Sequence, residues 1–195
     1  MRNIVCIALI ALCFSVQAQK KELRKIDKLV LESFYDEAKD ELENAKNLIL
    51  ASDDKYKAQY YFYDSKVSNE LKEFENAINS LNSLNKVNPN ENLPTKYQQE
   101  YSNLKIIISN SIVNSAVTDN QNGDFLDAAK KLIMAYEMDK EEYINYLYFA
   151  AGSAVNGKDY ESALKHYLAL KNNGYTGIVD EYFVTNNETG LEEKV

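Results

Sequence analysis

Residues 123–129 read GDFLDAA, and residues 157–163 read GKDYESA. Each phrase sets a glycine ahead of an acid and an aromatic, and each carries an alanine three residues after the aromatic, Ala128 and Ala163. Around Ala128 stand Phe125, Leu132 and Ala135; around Ala163 stand Tyr160, Tyr167 and Leu170. These offsets put all four residues of each set on one face of a helix. The same template recurs upstream at Ala77, with Phe74, Leu81 and Leu84, and at Ala38, with Tyr35, Leu42 and Ala45.

The pattern describes antiparallel helix pairs. The corner between two helices calls for a residue that tolerates positive φ, expected at Gly123 and Gly157. Asp124 and Asp159 are placed to cap the second helix by accepting free N–H groups. Phe125 and Tyr160 are expected to pack back on the first helix. Ala128 and Ala163 are expected to be buried where helices cross, because a larger side chain would push the crossing apart.

Breakers are scarce elsewhere. The only prolines are Pro89 and Pro94, so most of the chain is predicted helical. The expected helices cover 20–32, 34–51, 55–71, 73–86, 96–121, 124–138, 141–156 and 159–173. Residues 87–94 form a loop, and Thr95 with Gln98 has the spacing of a capping box. After Gly174 the composition changes. Ile178 to Thr185 is β-rich, "NNETG" (186–190) reads as a turn, and a second short strand follows. An isolated hairpin is marginal in water, so this tail needs support from the last helix, a partner or further chain.

Ala128 and Ala163 lie ~35 residues apart, close to the tetratricopeptide period of about 34. Over roughly residues 20–175 the chain resembles the tetratricopeptide repeat family. The family's tryptophan is absent; Tyr61, Ile112 and Leu147 stand in the matching positions. The resemblance implies an all-α, right-handed α-α superhelix, a solenoid of three to four helical hairpins, here with a short β-hairpin-like tail. In style the chain is similar to exported repeat proteins of Bacteroidota, which share the Ala-Gln-Lys-Lys signal ending and a Tyr-Thr-Gly tail.

Residues 1–18 read as a secretory signal peptide: Arg2, an apolar run from Ile4 to Phe14, and Val16-Gln17-Ala18 at its end. The run is too short to span a bilayer as a helix, and no membrane insertion is expected after cleavage. The expected division is therefore a signal peptide at 1–18, a repeat domain at 19–174 and a β-rich tail at 175–195. Cleavage would expose Gln19 and remove Cys6 and Cys13, leaving no thiol for a disulfide or a cysteine metal site. Leu12 precedes Cys13 where a lipoprotein signal takes a small residue. The expected location is the periplasm or cell envelope, or outside the cell. The chain carries a formal net charge of −8, which disfavours nucleic acid and anionic lipid as partners.

No catalytic constellation is legible, and no enzyme, cofactor or metal site is expected. His166 is the only histidine and has no cysteine companions. The acidic runs lack the alternating spacing and central glycine of a calcium loop. The fifteen tyrosines exceed what helix filling demands, and tyrosine suits interfaces because it offers an apolar face and a hydroxyl. In the family, the first helix of each pair lines the inner wall. Carried over, that wall is Gln59, Phe62, Lys66 and Asn69; then Asn110, Val113, Val117 and Asn120; then Asn145, Tyr148 and Asn156. Asn69, Asn120 and Asn156 fall near one height and could hold an extended peptide backbone. With only Lys66 basic, a carboxylate clamp is disfavoured. The expected function is a non-enzymatic exported scaffold binding a protein or peptide through this groove or the tail. The alternatives are an accessory domain of an envelope enzyme, or a carbohydrate binder whose tyrosines stack on sugars. Oligomeric state is not legible.

Overall fold

Eight helices make up almost all of the described chain: α1 (Arg2–Leu31), α2 (Tyr35–Leu50), α3 (Asp54–Glu70), α4 (Phe74–Val87), α5 (Gln98–Asn122), α6 (Phe125–Met138), α7 (Ile144–Asn156) and α8 (Tyr160–Asn172). The computed structural model describes the backbone of residues 2–89, 92–178, 183–185 and 192–194, and the side chains of 17–89 and 92–178. Each helix packs on its neighbour in sequence, and α3 also touches α1 and α5. The fold is all-α, with the adjacent-helix packing of a helical repeat. Two short strands, β1 (Phe183–Thr185) and β2 (Glu192–Lys194), pair antiparallel. The "NNETG" turn expected between them lies outside the described residues. No helix among the described residues is long and apolar enough to cross a membrane.

All four template alanines, Ala38, Ala77, Ala128 and Ala163, are buried. Ala128 packs with Ala116, Leu132 and Ala150, and Ala163 with Ala129 and Ala154. The last three come from α8, α6 and α7, so the small side chains meet where helices cross. Ile112 and Leu147, in two of the tryptophan positions, are buried; Tyr61 is half-buried against Tyr60.

The corners inside the pairs share one backbone geometry. Ser33, Lys72, Gly123 and Lys158 all have left-handed φ, between 60° and 87°. The N–H of each following residue donates to the carbonyl five positions back, as from Asp124 to Asp119 at 2.8 Å and from Asp159 to Ala154 at 2.9 Å. This is a Schellman corner, which satisfies the last carbonyls of the preceding helix.

Four expectations are corrected here. Gly157 has φ −78°, so it is not the left-handed residue; Lys158 is, because the second phrase carries one extra residue before its aspartate. Asp159 caps α8 by accepting from the Ser162 N–H at 3.1 Å, but Asp124 makes no side-chain cap, its corner being held by main-chain bonds alone. Tyr160 is 64% exposed, because α8 packs chiefly on α7 and no further helix follows among the described residues. Thr95 does not cap α5. It opens a 3-10 turn, Thr95–Tyr97, and Gln98 Nε2 instead donates to the Leu93 carbonyl at 2.7 Å.

That turn closes a loop which folds back on the helices. The Leu93 N–H donates to Asn88 Oδ1 at 2.7 Å, and Leu93 and Tyr97 are buried. Tyr97 lies 5.1 Å from Phe62, ring to ring. Tyr63 and Tyr97 hydroxyls donate to Asp27 Oδ1 at 2.8 and 3.1 Å, and Lys96 Nζ lies 3.0 Å from Asp27 Oδ2. Burial raises the Asp27 pKa, but the hydrogen bonds from Tyr63, Lys96 and Tyr97 outweigh it and hold the carboxyl below its ordinary value. One carboxylate therefore ties α1, α3 and the loop together.

Candidate functional site: a groove between α5 and α7

The apolar groups that helix packing leaves uncovered gather toward the C-terminal half. Val113 and Val117 of α5, with Tyr148, Phe149 and Gly152 of α7 and Tyr167 of α8, line a cavity of about 620 Å³. Phe125 and Leu132 of α6 close its floor, and Asn120, Gln121, Ser153 and Asn156 supply its polar groups. No carboxylate or ammonium is among the lining residues. The site is an apolar trough edged by amides, the usual make-up of a ligand site that reads shape and main-chain polarity.

Tyr148 organises the aromatic part. Its ring lies 5.8 Å from Phe149, 6.2 Å from Tyr167 and 5.9 Å from Tyr175. Tyr175 is fixed in turn by donating its hydroxyl to Asn145 Oδ1 at 2.7 Å. Ser153 Oγ donates to Asn120 Oδ1 at 3.0 Å, which leaves the Asn120 Nδ2 free to donate. A Cβ added to Gly152 would meet nothing within 4 Å, so this turn of α7 exposes bare backbone to the trough. A second cavity, of about 640 Å³, shares Tyr148 and Tyr167 and extends along Gly174 to Gly177.

Five of the eleven wall residues expected from sequence meet in this groove: Val113, Val117, Asn120, Tyr148 and Asn156. Asn145 sits just beyond, holding Tyr175. The other five lie elsewhere. Phe62 is fully buried and belongs to the core, a correction whose cause is the loop: Tyr97 covers the face of α3 that the repeat pattern leaves open. Asn69 is buried too, and lines a separate cavity of about 300 Å³ with Ser111 and Thr118. Lys66 pairs with Glu100, Gln59 donates to the Lys55 carbonyl at 3.0 Å, and Asn110 is exposed on α5 outside the groove. The expected row of three amides is therefore reduced to Asn120 and Asn156.

Sequence reasoning missed Phe149, Gly152, Ser153 and Tyr167 as groove residues. The adjacent pair Tyr148-Phe149 was a usable signal. Leu147 already takes the buried position of that turn, so the two following aromatics must point away from it. Tyr56, Tyr60 and Tyr63, by contrast, are core filler. His166 is half-buried on α8; burial and Lys165 lower its pKa, and Asp159 opposes them. No protein-family model matches the chain, and no curated protein matches it.

Proposed function

We propose that this chain is a non-enzymatic, tetratricopeptide-like scaffold that binds an extended protein or peptide segment in the groove between α5 and α7. The observation that carries the reading is the trough itself: aromatic and valine walls, amides at the edge, and no charged side chain among its lining residues. Tyrosine and phenylalanine give broad contact at low entropic cost, as binding anchors do. Asn120 Nδ2 and Asn156 are placed to bond a peptide main chain. In this reading the helix pairs form a short right-handed solenoid and the groove is part of its inner wall. The paired strands belong to a tail that offers a second contact surface. The apolar leader and the small-residue end at Ala18 support export to the periplasm or cell envelope.

The second reading is a carbohydrate-handling accessory role, favoured by the same aromatics, since amides and tyrosines also suit sugar hydroxyls and ring faces. Gly152→Leu separates binding in this groove from binding elsewhere. The added side chain enters open space and the substitution improves helix propensity, so the fold is kept while the trough is filled. A displayed peptide library and an oligosaccharide array are each applied to both proteins. Peptides held by the parent and lost by Gly152→Leu support the proposal. Oligosaccharides lost in the same way move the reading to carbohydrate. Ligands that both proteins hold equally overturn the groove as the site.

A further inference from the structure

The outer face of α8 carries an uncovered stripe. Tyr160, Leu164 and Leu168 are 64%, 60% and 49% exposed. Spaced four residues apart, they share one side of the helix with Glu161 and Lys171. The opposite side holds the buried Ala163 and Leu170. Repeat arrays end in helices with polar outer faces, because an apolar end offers itself for stacking. Among the described residues neither Glu161 nor Lys171 has an ionic partner in its own chain.

We propose that a second copy of this chain covers the stripe, with the two α8 helices packed antiparallel about a twofold axis. The stripe is complementary to itself in that arrangement. Reversing one helix about the level of His166 sets Leu164 beside the partner's Leu168, and Leu168 beside the partner's Leu164. The same operation sets Glu161 opposite the partner's Lys171, and Lys171 opposite the partner's Glu161. A twofold interface requires each contact to occur twice, and acid at one end of the stripe with base at the other satisfies this. Parallel stacking would instead place like charges together. Tyr167 borders both the stripe and the groove, so pairing would bring two grooves beside each other. This interface is independent of what the groove binds.

Sedimentation velocity of the purified protein over a range of concentrations tests the proposal. A reversible monomer–dimer equilibrium is expected, and Leu164→Glu should leave only monomer. Glu161→Lys alone, or Lys171→Glu alone, should weaken the dimer roughly tenfold, since each change acts twice in a symmetric interface. The double exchange, Glu161→Lys with Lys171→Glu, should restore it. Helical circular dichroism confirms that each variant is folded. A monomer at every concentration overturns the proposal. So does a dimer that is indifferent to Leu164→Glu, or single exchanges that the double exchange fails to rescue.

Discussion

Leu126 lies over Gly157 so closely that a Cβ on the glycine would sit 2.6 Å from Leu126 Cδ2 and 3.0 Å from its Cγ. Phe125 Cβ is 3.3 Å from the same point. The glycine of the second phrase thus serves close packing of α7 on the start of α6, with a φ that any residue can adopt. Gly157→Ala should destabilise the protein by up to about 1 kcal/mol, the low end of overpacking, because Leu126 is 45% exposed and has room to yield. Chemical denaturation checks it. An unchanged midpoint would mean that Leu126 simply swings aside.

The neighbouring residue predicts the opposite sign. Lys158 has φ 62°, a conformation that costs an L side chain about 1–2 kcal/mol. Lys158→Gly relieves that strain and gives back part of it through a freer unfolded chain. A net gain of about 0.5–1 kcal/mol is expected, read as a rise in the thermal midpoint of a few degrees. The same change at Lys72, with φ 60°, should behave alike.

Phe62 and Tyr148, both expected on the inner wall, should respond differently to truncation. Phe62→Ala opens a cavity in the core and should cost about 3–5 kcal/mol. Tyr148 is 46% exposed, and Tyr148→Ala should cost about 1 kcal/mol, mainly from its ring contacts. Thermal unfolding of the two variants decides this. Equal losses would place Tyr148 in the core and remove the groove's principal anchor.

Asp27 makes the loop's attachment sensitive to acid. Its folded pKa is lowered, so its contribution to stability is present above the unfolded carboxylate pKa and is lost as pH falls through the folded value. Asp27→Asn should therefore lower the denaturation midpoint at about pH 7, and the gap between variant and parent should narrow toward about pH 2. A gap that stays constant with pH would show that the contacts hold the protonated acid as well as the carboxylate, so that folding does not lower the Asp27 pKa.

Helix boundaries were legible because few residues interrupt them and the template repeats. The expected 124–138 differs from Phe125–Met138 by one residue at its start, and the expected 73–86 from Phe74–Val87 by one residue at each end. Ala128 and Ala163 could be placed because a small residue within an apolar stripe has few other uses. Long-range closure was not legible. Nothing near Phe62 announces that Tyr97 will cover it, and Asp27 reaches partners in two distant segments. The left-handed corners at Ser33 and Lys72 were also hidden, since neither residue type marks that conformation. Five of the residues expected on the wall line the cavity beside α5 and α7, whereas Phe62 is covered where the loop folds back over α3.

The buried side chains are unevenly shared along the chain. One continuous cluster of buried residues joins α1 through α5 and takes in Ala135 of α6. Among the described residues, by contrast, the buried side chains of α8 fall in two small clusters, Ala163 with Ala129 and Ala154, and Leu170 with Tyr136 and Leu147 under partly buried neighbours such as Ile133 and Tyr175. Amide hydrogens should consequently exchange fastest in α8 and the end of α7, through openings that leave the first five helices intact. One wall of the groove, from Tyr148 to Asn156 of α7 with Tyr167 of α8, belongs to this part, and the facing wall belongs to α5. A ligand that binds only the closed arrangement adds its binding free energy to every such opening. Its arrival would be recorded as slowed deuterium uptake in α7 and α8, while the amides of α1 to α4 keep their original rates.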